Sequence, residues 1–228
     1  MDLAGTRVLV TGGTGELGSR IAAGLRAVGA TTVIAGQQSD RLTAALSHSE
    51  GFVVDLSVQG AGHALISAVT ASGNLDGIVL AHGVVAFGNV ADVPAEVSQK
   101  LTTVNLQSAI DIITAAVPAL RASVASDRQP FVATISGVIS ENAVAGMAAY
   151  GASKAGLRHF VSAAQREMRR EKIRVFDTRP PHTETGLASR AIFGQEPKFP
   201  AGADPDAVAR RIITAIVEDE TDVPSELF

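Results

Sequence analysis

The sequence has no cysteine and no tryptophan, and only one tyrosine and eight phenylalanines among its 228 residues. Without cysteine there are no disulfides, no thiolate metal sites and no thiol nucleophile, which is compatible with a cytoplasmic setting. So few aromatics argue against a stacking platform for sugars or bases. An excess of positive charge is missing too: 19 basic residues face 23 acidic ones, a net charge of −4. That balance is a poor match for a nucleic-acid backbone. No unbroken apolar run reaches the ~18 residues of a membrane span. The stretch Met1–Arg7 has no basic segment followed by an apolar core, so no secretory signal is visible. A soluble chain with neither nucleic acid nor membrane as partner is expected. His48, His63 and His159 lie apart with no second ligand at a metal spacing; they read as surface residues, and no metal is expected.

What is present is a globular composition, 46% hydrophobic and 18% charged, with Ala, Val, Leu and Ile as the core material. Short β-branched runs alternate with longer Ala-rich stretches. Strands are expected at Arg7–Thr11, Thr31–Ala35, Gly51–Asp55, Leu75–Ala81, Phe131–Ser136 and Ile173–Thr178, with a short last one at Pro224–Phe228. Helices are expected at Leu17–Val28, Ser39–Leu46, Ala61–Ala71, Met147–Glu171 and Asp204–Val217. A further long helix runs from about Pro94 through Arg121, broken in the middle or followed closely by a second. This alternation defines a single α/β domain, a doubly wound parallel sheet with helices on both faces. The irregular segment 180–204, with Pro180, Pro181, Pro197 and Pro200, reads as a loop that closes over substrate.

Between the first strand and first helix stands Thr11-Gly12-Gly13-Thr14-Gly15-Glu16-Leu17-Gly18. Glycine permits the positive φ of a tight turn and lets backbone N–H groups approach a pyrophosphate, while the helix N-terminus faces the anion. Gly12, Thr14, Gly15, Leu17 and Gly18 are therefore candidate dinucleotide-binding residues. A ribose reader normally ends the second strand. Here Gln37 and its neighbours offer no carboxylate to bond both ribose hydroxyls and repel a 2′-phosphate, which tilts the reading toward NADP(H) over NAD(H). Arg20 and Arg41 are near in sequence.

The only tyrosine sits in Tyr150-Gly151-Ala152-Ser153-Lys154. The i,i+4 spacing puts phenol and ammonium on one helix face. A nearby cation favours the phenolate, so a lowered phenol pKa is expected and Tyr150 becomes a usable acid/base. With the glycine turn upstream, the chain resembles the short-chain dehydrogenase/reductase family to about Thr185. That resemblance implies a Rossmann-type domain, a nicotinamide cofactor, and hydride transfer between it and a carbonyl or alcohol carbon. It implies that Tyr150 is the acid/base, that Lys154 holds the nicotinamide ribose and lowers the Tyr pKa, and that Asn105 supports a water-linked proton relay. It implies that Asp55 touches the adenine, with Leu56, Ala81 and Gly83 lining the cofactor. Pro180, Thr183 and Thr185 match the segment that closes over the nicotinamide carboxamide and pyrophosphate.

Four departures stand against that pattern. The glycine spacing is that of the longer, epimerase-like branch, and Glu16 occupies a usual glycine position, so its carboxylate should point away from the pyrophosphate. His82 replaces a small residue ahead of Gly83, either as a polar group near a ribose or as a structural residue bonded to backbone. The carbonyl-orienting Ser, thirteen residues before the Tyr, is here Gly137. Ser136 is the first candidate to take over, Ser140 the second, and the third option is that no Ser does. Finally, Pro180-Pro181-His182 replaces Pro-Gly, with His182 facing either the substrate pocket or solvent, and the usual tail of the family is missing.

The resulting expectation is an NAD(P)-dependent oxidoreductase of the carbonyl reductase or alcohol dehydrogenase type, acting on a small molecule. The alternative is a cofactor-binding regulatory or scaffold protein with little turnover, kept open by Gly137. An epimerase-like enzyme lacks room for its substrate domain. Leu187, Ile192 and Phe193 hint at a moderately apolar substrate. Asp76 reads as structural. Apolar residues on more than one face of the helices near 105–121 and 147–170, Val161, Ala164 and Met168 among them, suggest a partner surface and a homodimer or homotetramer.

Overall fold

A computed structural model of the chain describes residues 1–37, 40–45 and 47–228, without the side chains of Arg41 and Ala45. Six parallel strands form the sheet: β1 Arg7–Thr11, β2 Thr31–Gly36, β3 Glu50–Val53, β4 Gly77–Leu80, β5 Phe131–Ile135 and β6 Arg174–Thr178. Their order is β3-β2-β1-β4-β5-β6, with the reversal between β1 and β4 that marks a doubly wound, Rossmann-type sheet. The helices are α1 Glu16–Ala27, α2 Asp40–Ala45, α3 Ala61–Ser72, α4 Ala95–Thr102, α5 Ser108–Ala125, α6 Ala148–Met168 and α7 Pro205–Val217. Of the second expected helix, Ser39 and Leu46 lie outside the described residues, as does Gln38.

Adjacent strand residues point to opposite faces, so each strand feeds two cores. Leu9, Val33, Ile78, Val132 and Val175 pack with Leu65, Ile112 and Leu157 of α3, α5 and α6. Val8, Val10, Ile34, Val79, Ala133 and Phe176 pack with Ile21 and Leu25 of α1 and Ile212 and Ile216 of α7. Burial on both sides explains strands that are apolar throughout. Asp76 sits at the foot of β4, taking the Arg7 N–H at 2.9 Å and the Ser123 hydroxyl at 2.7 Å. It is structural, as expected.

The structure corrects two expectations here. Pro224–Phe228 does not form a strand: Ser225–Leu227 is a 3-10 turn. Only Val223 pairs with the sheet, at Thr178, because Pro224 has no N–H to carry the ladder further. Val161 and Ala164 are not partner-facing; both are buried in the core, and Met168 packs against it.

The long helical segment is continuous from α4 to α5 through a π turn, Thr103–Gln107. The run Ala95–Ala125 is long and apolar enough, by length and composition, to cross a membrane. Its Ile112, Ala116 and Leu120 are buried in the core. A π turn admits one extra residue into the helix and re-aims the side chains on its C-terminal side; here it falls on Asn105.

Candidate active site

A cleft of about 710 Å³ runs along the C-terminal ends of the strands, where open α/β sheets bind ligands. At one end lies the glycine turn. Gly12 has φ +66°, and a Cβ there would stand 2.7 Å from His82 N; a Cβ on Gly18 would meet Gly12 O at 2.3 Å. Both positions are closed to any side chain, and Gly15 caps α1, its N–H donating to Gly12 O at 2.9 Å. Gly12, Thr14, Gly15, Leu17 and Gly18 all line it. The Glu16 carboxylate is taken by Arg20 Nη1 at 2.6 Å, and Arg20 Nε reaches Asp206 at 2.7 Å. The acid is thus held by a cation one turn along its own helix.

Gln37, Asp55 and Leu56 line the next stretch. Asp55 accepts the Ser57 hydroxyl at 2.7 Å and the Ser57 N–H at 2.9 Å. These bonds hold its carboxyl below the usual range, with Gln37 and Lys100 adding to the effect. Lys100 comes from α4 and lines the cleft; no motif in the sequence points to it.

Ala81, His82 and Gly83 follow β4. His82 Nε2 is 2.8 Å from Ser108 Oγ, which donates onward to Val104 O at 2.8 Å. Nε2 therefore carries the proton, and Nδ1 accepts from Thr11 Oγ1 at 2.6 Å. Burial, and then the field of Lys154, lowers the imidazole to about 3. Of the two readings, the geometry places His82 as a neutral structural bridge from β1 to α5, with neither ring nitrogen left for a ligand.

Asn105 lies behind the cleft wall. Its Oδ1 accepts the Val84 N–H at 2.9 Å, and its Nδ2 donates to Val84 O at 2.9 Å and to Ser153 Oγ at 3.0 Å. Tyr150 and Lys154 share one face of α6 and both line the cleft. Lys154 Nζ donates to Ile135 O at 2.8 Å; a Cβ on Gly83 would sit 3.5 Å from that nitrogen. Burial lowers the Lys154 ammonium to about 8, against the opposing field of Asp177. The phenol of Tyr150 is pushed up to about 12, by burial. The expected lowering by Lys154 is not seen: the ring packs with Val85 and Met147, and the ammonium is turned to the Ile135 carbonyl.

Ser136 is fully buried. Its hydroxyl donates to Asp177 Oδ2 and lies 2.9 Å from Ser140 Oγ, which donates to Gly137 O at 2.7 Å. Ser136 lines the cleft but its hydroxyl is committed to Asp177, while Ser140 does not line it. Gly137 itself has φ +75° and ψ 164°, a region essentially reserved for glycine. The backbone therefore explains why no serine stands at that position.

Beyond Tyr150 the cleft turns apolar, with Val85, Phe87, Ile139, Met147, Leu187 and Phe199 as walls. Pro180, Pro181, Thr183 and Thr185, at the start of the 180–204 segment, line the cleft as well. That segment is seated by Ile192 N–H to Val85 O and Phe87 N–H to Phe193 O, each 2.9 Å. Ile192 reaches the cleft, whereas the Phe193 ring covers Gly88. His182 faces the cleft and stacks on Phe199 at 4.6 Å, with Nε2 3.7 Å from Glu184. Phe199, Val85, Phe87 and Met147 are not legible in the sequence, since isolated apolar residues in loops carry no spacing signal. His48, His63 and His159 are exposed, and among the described residues no group of three acids or histidines is placed to hold a metal.

Fold and cleft together define a dinucleotide-type site with a Tyr–Lys pair at its centre. A model of the short chain dehydrogenase family matches residues 6–193. The chain belongs to that family and is an oxidoreductase of the short-chain type. A dehydrogenase/reductase SDR family protein 7-like from Anopheles gambiae is 25% identical over 97% of this chain and 75% of its own length. The structure of a 3-ketoacyl-(acyl-carrier-protein) reductase from Brucella melitensis, complexed with NADH, superposes with a TM-score of 0.88 at 19% identity, covering 99% of both chains. That of a 3-oxoacyl (acyl-carrier-protein) reductase from Agrobacterium tumefaciens C58, with NADP bound, gives 0.82 at 19% identity over 98% of this chain and 93% of that one.

Proposed function

We propose that the chain is an NADP(H)-preferring carbonyl reductase or alcohol dehydrogenase acting on an apolar small molecule. The observation that carries this reading is the position of Tyr150 and Lys154, where the cleft passes from the glycine cradle to the apolar walls. A nicotinamide dinucleotide, when bound, supplies or accepts the hydride. The glycine turn and the N-terminus of α1 would hold its pyrophosphate, and Gln37 presents no carboxylate to a 2′-phosphate. Tyr150, protonated at neutral pH, donates its hydroxyl proton to the substrate oxygen during reduction. Lys154, charged below about pH 8, would hold the ribose side of the cofactor. Leu187, Phe199 and their neighbours exclude water and select an apolar substrate.

Turnover of a panel of carbonyl compounds and alcohols, followed at the nicotinamide absorbance with NADPH, NADH and their oxidised forms, tests the reading. NADPH should bind more tightly than NADH; tighter NADH binding by tenfold, about 1.4 kcal/mol, overturns the cofactor preference. Tyr150→Phe should abolish turnover while retaining NADPH binding. One observation favours a second reading, a cofactor-binding regulatory or scaffold protein: the hydroxyl of Ser136 is committed to Asp177. NADPH binding with no turnover of any substrate would select it. We also infer at least a dimer, supported by Ile110 and Val117 on α5, which stay only partly buried. Light scattering that gives a 23.4 kDa particle would exclude it.

A further inference from the structure

Arg179 is among the largest side chains the fold hides, 2% exposed, and the proposed chemistry makes no use of it. Its guanidinium meets three carboxylates from three segments. Nη1 and Nη2 take the two oxygens of Asp222 at 2.7 Å each. Nε donates to Glu141, and Nη1 lies 3.4 Å from Asp177 Oδ2. The two-pronged bond to Asp222 fixes orientation as well as charge. Glu141 also accepts the Ser225 hydroxyl at 2.6 Å. The backbone repeats the connection: Arg179 N–H donates to Val223 O at 2.9 Å, and Val223 N–H to Asp177 O at 3.0 Å.

Each segment so joined borders the cleft or supports what does. Glu141 ends the turn that gives Val138 and Ile139 to the wall, and Asp177 bonds Ser136 where that turn begins. Pro180 and Pro181, next in the chain after Arg179, line the cleft at the start of the 180–204 segment. Asp222 and Ser225 belong to the C-terminal tail, which touches no part of the cleft itself. A buried cation with three acids around it is costly to disturb from either side, so the three segments are fixed in mutual register.

We propose that Arg179 is a positioning residue for the substrate side of the cleft, clamping the 136–141 turn to the start of the 180–204 segment and making the tail, through Asp222 and Ser225, a structural part of the substrate wall. Its kinetic arm rests on the oxidoreductase reading; its exchange arm does not.

The test uses the full chain with Asp222→Ala and Ser225→Ala, singly and together. Asp222 is more than half exposed, so water can replace it on the guanidinium and its loss costs the fold less than Arg179→Met, which strands the buried acids; unchanged exchange in β1 reports that the variants are folded. Hydrogen exchange followed by mass spectrometry should show the amides of 137–142 and 180–186 opening about tenfold faster in the double variant, with β1 unchanged. Faster exchange confined to 219–228 overturns the proposal. With a substrate in hand, KM for the carbonyl compound should rise about fivefold or more while kcat and NADPH affinity stay within about twofold. Unchanged KM alongside the faster exchange also overturns it. Arg179→Lys keeps the charge and loses the fork; it should fall between wild type and the double variant in both readouts. If the wild-type chain turns over no carbonyl compound, the oxidoreductase reading fails and the exchange result alone decides the clamp.

Discussion

Ser136, the residue just after β5, and Asp177 of β6 meet side by side, the hydroxyl donating to a carboxylate that also takes the Thr134 hydroxyl at 2.6 Å. Burial raises the pKa of Asp177, and the two hydroxyls oppose that shift. The pair is a structural bond at the place where the sequence suggests an oxyanion donor. Ser136→Ala should therefore cost stability, about 1–3 kcal/mol for a buried acceptor left short of a partner, and change kcat by less than about tenfold. An oxyanion donor would cost about 10²–10³ in kcat. Steady-state kinetics beside urea denaturation separate the two outcomes.

Gly137→Ser places the family's usual residue at its usual position, and should not improve the enzyme. At φ +75° a serine is strained by about 1–3 kcal/mol. Lower thermal stability and no gain in kcat are expected. A variant as stable as wild type with faster turnover would show that the turn accepts the serine.

Lys154 should set the upper pH limit of reduction. Its ammonium, lowered by burial from 10.5 to about 8, is charged below that value and neutral above it. The kcat/KM for carbonyl reduction should fall through a single deprotonation near pH 8, while Tyr150, near 12, stays protonated across the same range. Lys154→Arg should move the limb out of the measurable range. A profile flat to pH 10 in the wild type would remove Lys154 from this role.

His82 should make the fold acid-sensitive. Its pKa drops from 6.5 to about 3 on folding, so between those values the unfolded chain binds the extra proton. Stability should then decline as pH falls from 6.5 toward 3, by up to about 1.4 kcal/mol per unit from this group. The difference between wild type and His82→Asn, measured by denaturation at several pH values, isolates that slope from the carboxylates. A difference independent of pH would mean that the imidazole titrates normally in the folded chain.

Periodicity and glycine placement make most of the fold legible. Strands such as Arg7–Thr11 and helices such as α3 and α7 arise from patterns with a local physical cause. The site is legible where chemistry depends on spacing, as with Tyr150 and Lys154 or the glycine turn. It is not legible where a residue's role depends on what the sheet places opposite. Asp177 acquires Ser136 only through the β5–β6 register, and Lys154 turns to the Ile135 carbonyl only because that carbonyl ends a neighbouring strand. The tail fails as a strand for a local reason, Pro224, that the sequence does contain. Val161 and Ala164 look the same from sequence whether they face the sheet or a second subunit.

The primary amide of Asn105 gives and takes hydrogen bonds with one residue, Val84, in the pattern that two neighbouring peptide groups would use. The side chain thus counterfeits one rung of a ladder in the segment after β4, immediately before Val85 and Phe87 pair with the backbone of Ile192 and Phe193. Only an amide can do so, having a donor and an acceptor on the same planar group. Aspartate has the shape but would set a charged oxygen against the Val84 carbonyl, and leucine has neither bond to offer. The rung ties Val84, and with it the Val84–Val85 stretch that lines the cleft, to the helical run through the π turn that carries Asn105.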